Sequence, residues 1–371
     1  MSLSKGHTAL LAGFIGNVVE WYDFALYGYM AGILSGLFFP GQDSTAALIA
    51  TYGVFAAGFL MRPIGSAVFG WLGDTIGRSQ TMLISVIMMA MPTILLGCLP
   101  TYDSIGIWAA VLLVLIRLVQ GLSVGGEFSS SVTYMVETAD RIILRMRLPE
   151  SEHFQKHHDE RCQTSPLLQA FTTNRREMIQ AILFASAYGA IFYIPVVYMP
   201  EWLHSQAGMA RDLALQINTA ATAFLLLLIP VAGWASDHLL RRTHCIAGAM
   251  LFLALIAVPL FIWCTDMSFW SAVIAQFSFA ALIAVPLGTA PAMFVELFPA
   301  SDRLSGYSVA YNLGLGVIGG ATPMFATWLI EMTGLSIAPA VWLTVVALIA
   351  VAAVLWIKDR SREPLPEEQG G

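Results

Sequence analysis

Gly70-Trp71-Leu72-Gly73-Asp74-Thr75-Ile76-Gly77-Arg78 is the stretch on which the fold turns. It follows one long apolar run and precedes another. It returns further along the chain as Gly233-Trp234-Ala235-Ser236-Asp237-His238-Leu239-Leu240-Arg241, with Gly, Trp, Asp and Arg at matching places. A second echo pairs Val136-Glu137 with Val295-Glu296. Repeated segments between apolar runs are the mark of a chain built by duplication. The residue types suit a tight turn between helices. Glycine lets backbones approach closely. An aspartate can cap a helix start, and an arginine can pair with an acid or a helix C-terminus on a neighbour. Gly70, Asp74, Gly77, Arg78 and Glu137 therefore form one candidate gate cluster, and Gly233, Asp237, Arg241, Glu296 and Arg303 its partner. The plainer alternative is a pair of rigid turns with no gating role.

The rest of the chain surrounds these turns with hydrocarbon. Of 371 residues 57% are apolar and only 11% charged, with a mean hydropathy of +0.73. An ordinary soluble domain carries about 25% charge. The composition excludes a soluble enzyme and a disordered chain. With 18 Lys+Arg against 24 Asp+Glu there is no basic field to hold nucleic acid. Cys98, Cys162, Cys245 and Cys264 form no C-x-x-C pair, and neither a disulfide framework nor a zinc site is expected. An integral membrane protein is the class that remains.

A helix needs about 20 apolar residues to cross a bilayer. Ten such runs are readable, near 9–37, 46–71, 80–99, 105–129, 178–199, 213–234, 244–264, 268–293, 304–330 and 338–357. None alternates in the manner of a barrel strand, and open sheets leave polar edges that lipid cannot satisfy. The expected class is all-α and polytopic. Basic residues set the orientation. Lys5, Arg78, the set from Arg141 to Arg176, Arg241, Arg242, Arg303, Lys358, Arg360 and Arg362 fall on one side, and Arg211 alone on the other. Both termini are thus expected in the cytoplasm. The first run contains Glu20 and Asp23 and lacks an A-x-A-like cleavage site, so it reads as a retained span. The polar stretch 138–177 divides the chain into an N-terminal four-helix lobe (1–137), a linker, a C-terminal six-helix lobe (178–357) and a tail (358–371).

The motifs together carry a family. Gly-x-x-x-Asp-x-x-Gly-Arg after the second span, with its echo, resembles the signature of the major facilitator superfamily. Further stretches narrow the likeness: Gly16-Asn17-Val18-Val19-Glu20-Trp21-Tyr22-Asp23-Phe24, Gly58-Phe59-Leu60-Met61-Arg62-Pro63-Ile64-Gly65, Arg117-Leu118-Val119-Gln120-Gly121-Leu122-Ser123-Val124-Gly125-Gly126-Glu127, and Glu296-Leu297-Phe298-Pro299 followed by Arg303 and Gly306-Tyr307. They resemble the metabolite:proton symporter branch, which includes proline/betaine, α-ketoglutarate, citrate and shikimate carriers. The resemblance implies a two-lobed bundle of twelve helices around a substrate cavity. It also implies proton-driven uptake of a small metabolite across a bacterial inner membrane, without ATP or cofactor. This chain departs from the pattern in one place. Tyr134-Met135-Val136-Glu137 resembles the end of helix four and Arg145-Met146-Arg147-Leu148-Pro149 the exit of helix six, so helices five and six are expected to be missing near Asp140–Ile143. A membrane protein of that ancestry that inserts without transporting is the second reading.

Ionised side chains in lipid cost about 2.5–3.5 kcal/mol on insertion scales, so those inside spans point to work. Asn17, Glu20, Asp23 and Tyr27 recur at helical steps on one face of the first span. Arg117, Gln120, Val124 and Glu127 do so in the fourth. The acids suit proton handling, and an arginine that stays charged suits a carboxylate substrate or a neighbouring acid. A structural ion pair is the alternative for both. Arg62 is either a cavity charge or a cation held by a helix end. Tyr188, Phe192, Tyr193, Tyr307, Tyr311 and Asn312 line a cavity or simply pack. Gly121 and Gly125 form a G-x-x-x-G for close helix contact. His153, His157, His158 and Cys162 sit among charges in the linker, and no metal is expected there. No G-x-x-x-x-G-K-[S/T] occurs, so no ATP motor is expected.

Overall fold

The computed structural model describes residues 22–41, 43–76, 78–124, 174–238, 240–298, 307, 309–359 and 361. The described residues are helical, with no strand among them. In lipid a helix is one of two ways to satisfy every backbone donor and acceptor internally. The helices are α1 (22–29), α2 (Ala31–Phe38), α3 (Ser44–Leu60), α4 (Arg62–Ile76), α5 (Arg78–Gly97), α6 (Ile107–Val124), α7 (Arg175–Ser205), α8 (Arg211–His238), α9 (Arg242–Cys264), α10 (Phe269–Leu297), α11 (Val309–Thr333) and α12 (Ala338–Trp356).

Eight described helices are long and apolar enough to cross a membrane. The expected ten are not all accounted for, for two local reasons. The run 9–37 begins outside the described residues, and α1 and α2 are separated by a turn at Met30. The third run is represented by α5, whose apolar stretch Ile84–Gly97 is short. The second run also breaks, at Met61, where Pro63 follows in the first turn of α4. Proline is tolerated there because that turn's N–H groups have no intrahelical acceptor. α4 then runs on through Gly70 and Asp74 to Ile76, further than the apolar run itself, and Arg78 opens α5.

Two stretches are wound more widely than an α-helix, Tyr193–Tyr198 within α7 and Asn312–Gly319 within α11. Pro195 supplies no N–H to the first, and three glycines lie in the second. The glycines also let α7 and α11 meet backbone to backbone. A methyl on Gly189 would fall on Gly319, and one on Gly314 on the Ile182 carbonyl. The two parts of the chain meet where α3 lies along α11. Phe59 packs over Gly316 and Gly320 there. Phe59 also meets Phe55 at 5.0 Å and Tyr193 at 5.4 Å between ring centroids. Tyr188, Tyr307 and Tyr311 are buried; Tyr188 and Tyr307 each pack on Tyr311, and Tyr307 and Tyr311 on Phe294. These aromatics serve as packing in this conformation, the plainer of the two expectations.

Candidate functional site

Asp23 on α1 and Arg117 on α6 lie far apart in sequence but in contact in space. Arg117 Nη1 donates to Asp23 Oδ2 at 2.9 Å. Asp23 is 5% exposed and Arg117 1%, so the pair is sealed from bulk solvent. Gln120, one turn along α6, donates to the same carboxylate oxygen at 3.2 Å. Thr93 on α5 donates to Asp23 Oδ1 at 3.1 Å and accepts from Gln120 at 2.9 Å. Three side chains from two helices thus converge on one carboxylate of a third. A charge in hydrocarbon is tolerated when it is paired and hydrogen-bonded, and this carboxylate is both. Thr93 escaped the sequence reading because a lone threonine in an apolar helix has no distinctive spacing.

Aromatic rings close the cluster. The Arg117 guanidinium lies 3.8 Å from the Tyr27 ring centroid. Arg62 lies over Phe24 at 4.5 Å and over Phe59 at 4.2 Å. Arg62 is thus seated on rings, a contact neither sequence alternative named. Stacking of this kind suits a flat, weakly hydrated guanidinium. Arg117 Nε and Nη2 find no hydrogen-bond partner among the described residues. Among the described residues Arg117 makes its side-chain hydrogen bond through Nη1, and its guanidinium face rests on Tyr27. Asn17, Glu20 and Glu127 lie outside the described residues.

The two expected gate clusters fare differently. Gly70 and Asp74 lie in α4 and Arg78 at the start of α5. Gly77, Glu137 and Arg303 lie outside the described residues. In the second cluster Gly233 abuts Gly288 and brings α8 onto α10. Asp237 and Glu296 do meet an arginine, but it is Arg242. Arg241 is exposed and occupies the residue before α9. Arg242 is the first residue of the helix and reaches Asp237 at 2.7 Å, with Glu296 in contact on its other side. The expectation for Arg241 is corrected accordingly: Arg241 has extended backbone and precedes the helix, whereas Arg242 is its first residue and is the one that reaches both acids.

The same end of the bundle is tied to the chain after α12. Asp359 accepts from the Thr243 backbone N–H at 2.9 Å and its hydroxyl at 2.7 Å, and from Ser361 through N–H and hydroxyl. Burial alone raises this carboxyl. The hydrogen bonds from Ser361 and Thr243 outweigh it and hold the carboxyl at about 2. A group depressed in the fold stabilises above its ordinary value, and loses that stabilisation as pH falls through the folded one. The expected result is a loss of stability between about pH 4 and about pH 2, abolished by Asp359→Asn. Thermal unfolding in detergent across that window checks it, and an unchanged profile in the variant refutes it.

On the opposite end, Arg211 pairs with Glu201 at 3.3 Å. A methyl on Gly32 of α2 would fall on both side chains, so the first part of the chain presses directly on this pair. The lone basic residue of the opposite loops is therefore a structural contact between α7 and α8.

The comparisons agree with this architecture. The chain matches the family model described as Sugar (and other) transporter over residues 8–148 and that of the Major Facilitator Superfamily over 178–371. It is 29% identical over 436 positions to the ectoine/proline transporter ProP of Corynebacterium glutamicum, covering 97% of this chain and 86% of that one. It is 29% identical to the citrate-proton symporter of Klebsiella pneumoniae, covering 95% and 92%. Its fold matches the xylose transporter XylE from E. coli in a partially occluded inward open conformation. The TM-score there is 0.67 and the identity 14%, over the full length of both chains. The ProP alignment exceeds the 371 residues of this chain by 65 positions, so the relative carries residues within it that this chain lacks. With an all-helical bundle, buried charges and a family model matched over more than half its length, the chain belongs to the major facilitator superfamily of membrane transporters.

Proposed function

We propose that this chain is a proton-coupled symporter of a small organic acid or zwitterion, working by alternating access in a bacterial inner membrane with both termini cytoplasmic. The observation that carries this reading is the sealed Asp23–Arg117 pair with Gln120 and Thr93 around it. Protonating Asp23 removes the negative partner of Arg117. The guanidinium is then free to hold an anionic group of the substrate. Loss of the proton on the other side restores the pair and releases the substrate. The metabolite classes named for the relatives, ectoine/proline and citrate with protons, support the substrate and the coupling. The halves that rock are the four-helix part within 1–137 and the six-helix part within 178–357, joined by the linker 138–177. The two turn clusters, Gly70 to Arg78 with Glu137 and Gly233 to Arg242 with Glu296 and Arg303, latch them on the cytoplasmic side. The protein works with metabolite, proton and lipid, and needs neither ATP nor nucleic acid.

Purified chain in proteoliposomes tests the reading with radiolabelled citrate and proline. Accumulation is expected under an imposed inward proton gradient and is expected to vanish with a protonophore. Uptake indifferent to the gradient would remove the coupling. The second reading is a chain that inserts and does not cycle, and the residues that the relative carries and this chain lacks are its motivation. Absence of any uptake, restored by inserting a relative's helix pair near Asp140–Ile143, would establish that reading instead.

A further inference from the structure

Glu201 on α7 is a buried acid that the mechanism above does not use. It is 8% exposed and lies one turn before the helix ends at Ser205. Its partner Arg211 opens α8 and is 27% exposed. The contact is made by Nη2, which lies 3.3 Å from each carboxylate oxygen. That is longer than a good charge-assisted hydrogen bond, and it is not the two-nitrogen fork that makes an arginine–carboxylate pair strong. Arg211 Nη1 is buried and finds no hydrogen-bond partner among the described residues.

The first half of the chain lies against this pair at two places. Gly32 of α2 leaves no room for a side chain, because a methyl there would fall on the Glu201 carboxylate and the Arg211 guanidinium. Tyr52 of α3 packs on Tyr198 of α7 at 5.8 Å between ring centroids. Its buried hydroxyl also lacks a partner among the described residues, and Glu201 and Arg211 both lie within electrostatic reach of it. The other titratable groups facing Glu201 are Tyr198 and His204, on its own helix. Two orphaned donors therefore sit in the joint between the halves, and each would regain hydration if the halves parted. Charge decides whether the joint holds. With Glu201 ionised, the pair is neutral as a whole and α2 lies flat on it. With Glu201 protonated, Arg211 keeps its charge and loses its counter-ion beneath α2. A charge buried without a partner is strongly disfavoured, and water reaches the guanidinium once α2 moves away.

We propose that Glu201 is a second proton-binding site, and that its protonation releases α2 from the Glu201–Arg211 pair and opens this end of the bundle. The inference rests on the reading of the chain as an alternating-access symporter, in which this end faces outward. A proton taken up at Glu201 then admits substrate from the acidic side, and Asp23 couples its passage.

Distances between spin labels test it. Ser104→Cys, between α5 and α6, and Gln206→Cys, after α7, place one exposed label in each half. The full chain carries them with Cys98, Cys162, Cys245 and Cys264 replaced by alanine. In lipid nanodiscs without a gradient, the ratio of the longer to the shorter distance is expected to rise about tenfold between about pH 8 and about pH 5. Glu201→Gln mimics the protonated acid and is expected to show the longer distance at both pH values. Asp23→Asn and His204→Gln are expected to keep the shift. If Glu201→Gln fails to fold, Gly32→Ala decides, since its methyl props α2 off the pair and is expected to favour the longer distance at both pH values. One unchanging distance in the labelled parent overturns the proposal and leaves a structural ion pair. So does a shift that survives Glu201→Gln, one that vanishes in Asp23→Asn or His204→Gln, or a parent-like response in Gly32→Ala. The two readings fail separately: gradient-driven uptake with pH-independent distances sinks the second proton site alone. A Glu201-dependent shift with gradient-independent uptake sinks the coupling alone.

Discussion

Asp23→Asn is expected to lower gradient-driven uptake roughly 10- to 100-fold, the usual span of a coupling free energy, while exchange of labelled for unlabelled substrate survives. The physical reason lies in what the amide keeps and what it loses. Its oxygen still accepts from Arg117 and Gln120, which donate at 2.9 and 3.2 Å in the parent. It carries no charge and takes no proton, so the cycle loses its titrating step and keeps its shape. Asp23→Glu retains a proton site and is expected to retain part of the coupling. Arg117→Ala is a different perturbation. It strands a carboxylate that is 5% exposed, and removing one member of a buried pair costs about 3–5 kcal/mol. That variant is expected to melt well below the parent. Proteoliposome uptake with and without a gradient, and melting in nanodiscs, separate the two. Full gradient-driven accumulation by Asp23→Asn would place proton coupling elsewhere.

The sequence made the Asp23–Arg117 site legible because lipid penalises charge. An acid and an arginine inside apolar runs each required a partner, and the helical spacing of Arg117 and Gln120 placed both on one face. It did not make Thr93 legible, because nothing in spacing says that α5 crosses beside α1. Arg241 was chosen over Arg242 by matching it to Arg78 in the repeat. A repeat aligns letters, whereas the start of α9 decides which neighbour faces Asp237 and Glu296. Long apolar runs disclosed the helices α7 to α12. They could not disclose the breaks at Met30 and Met61 or the widened turns at Tyr193–Tyr198 and Asn312–Gly319. Pro63, Pro195 and the glycines Gly314, Gly316 and Gly319 sit at three of these places, but a proline or glycine in an apolar run does not by itself say whether the helix breaks, kinks or widens.

Gly121→Val is expected to be strongly destabilising. Gly121 on α6 sits directly against Gly58 on α3, and a methyl there would fall on the Gly58 carbonyl and Cα. The obstacle is backbone, which cannot swing aside as a side-chain tip would. One turn back, a methyl on Gly58 would meet the Arg117 carbonyl. Further along, one on Gly65 of α4 would fall on the Leu122 carbonyl. The α6 backbone is therefore pinned at two places, and the pinning sets the height of Arg117 beside Asp23. Overpacking of this kind costs about 1–3 kcal/mol for a small group and more for a branched one. Gly121→Ala should fall within that range, and Gly121→Val beyond it. Both should also weaken gradient-driven uptake, because a shift of α6 by an ångström breaks a 2.9 Å contact. Gly36 on α2 provides the contrast, since a methyl there meets no described atom within 4 Å. Gly36→Ala should be neutral or slightly stabilising, because alanine favours a helix over glycine by about 1 kcal/mol. Melting temperatures of the three variants in nanodiscs measure the difference directly. If Gly121→Ala melts with Gly36→Ala, α6 and α3 are not in backbone contact, and the height of Arg117 is set by something other than glycine.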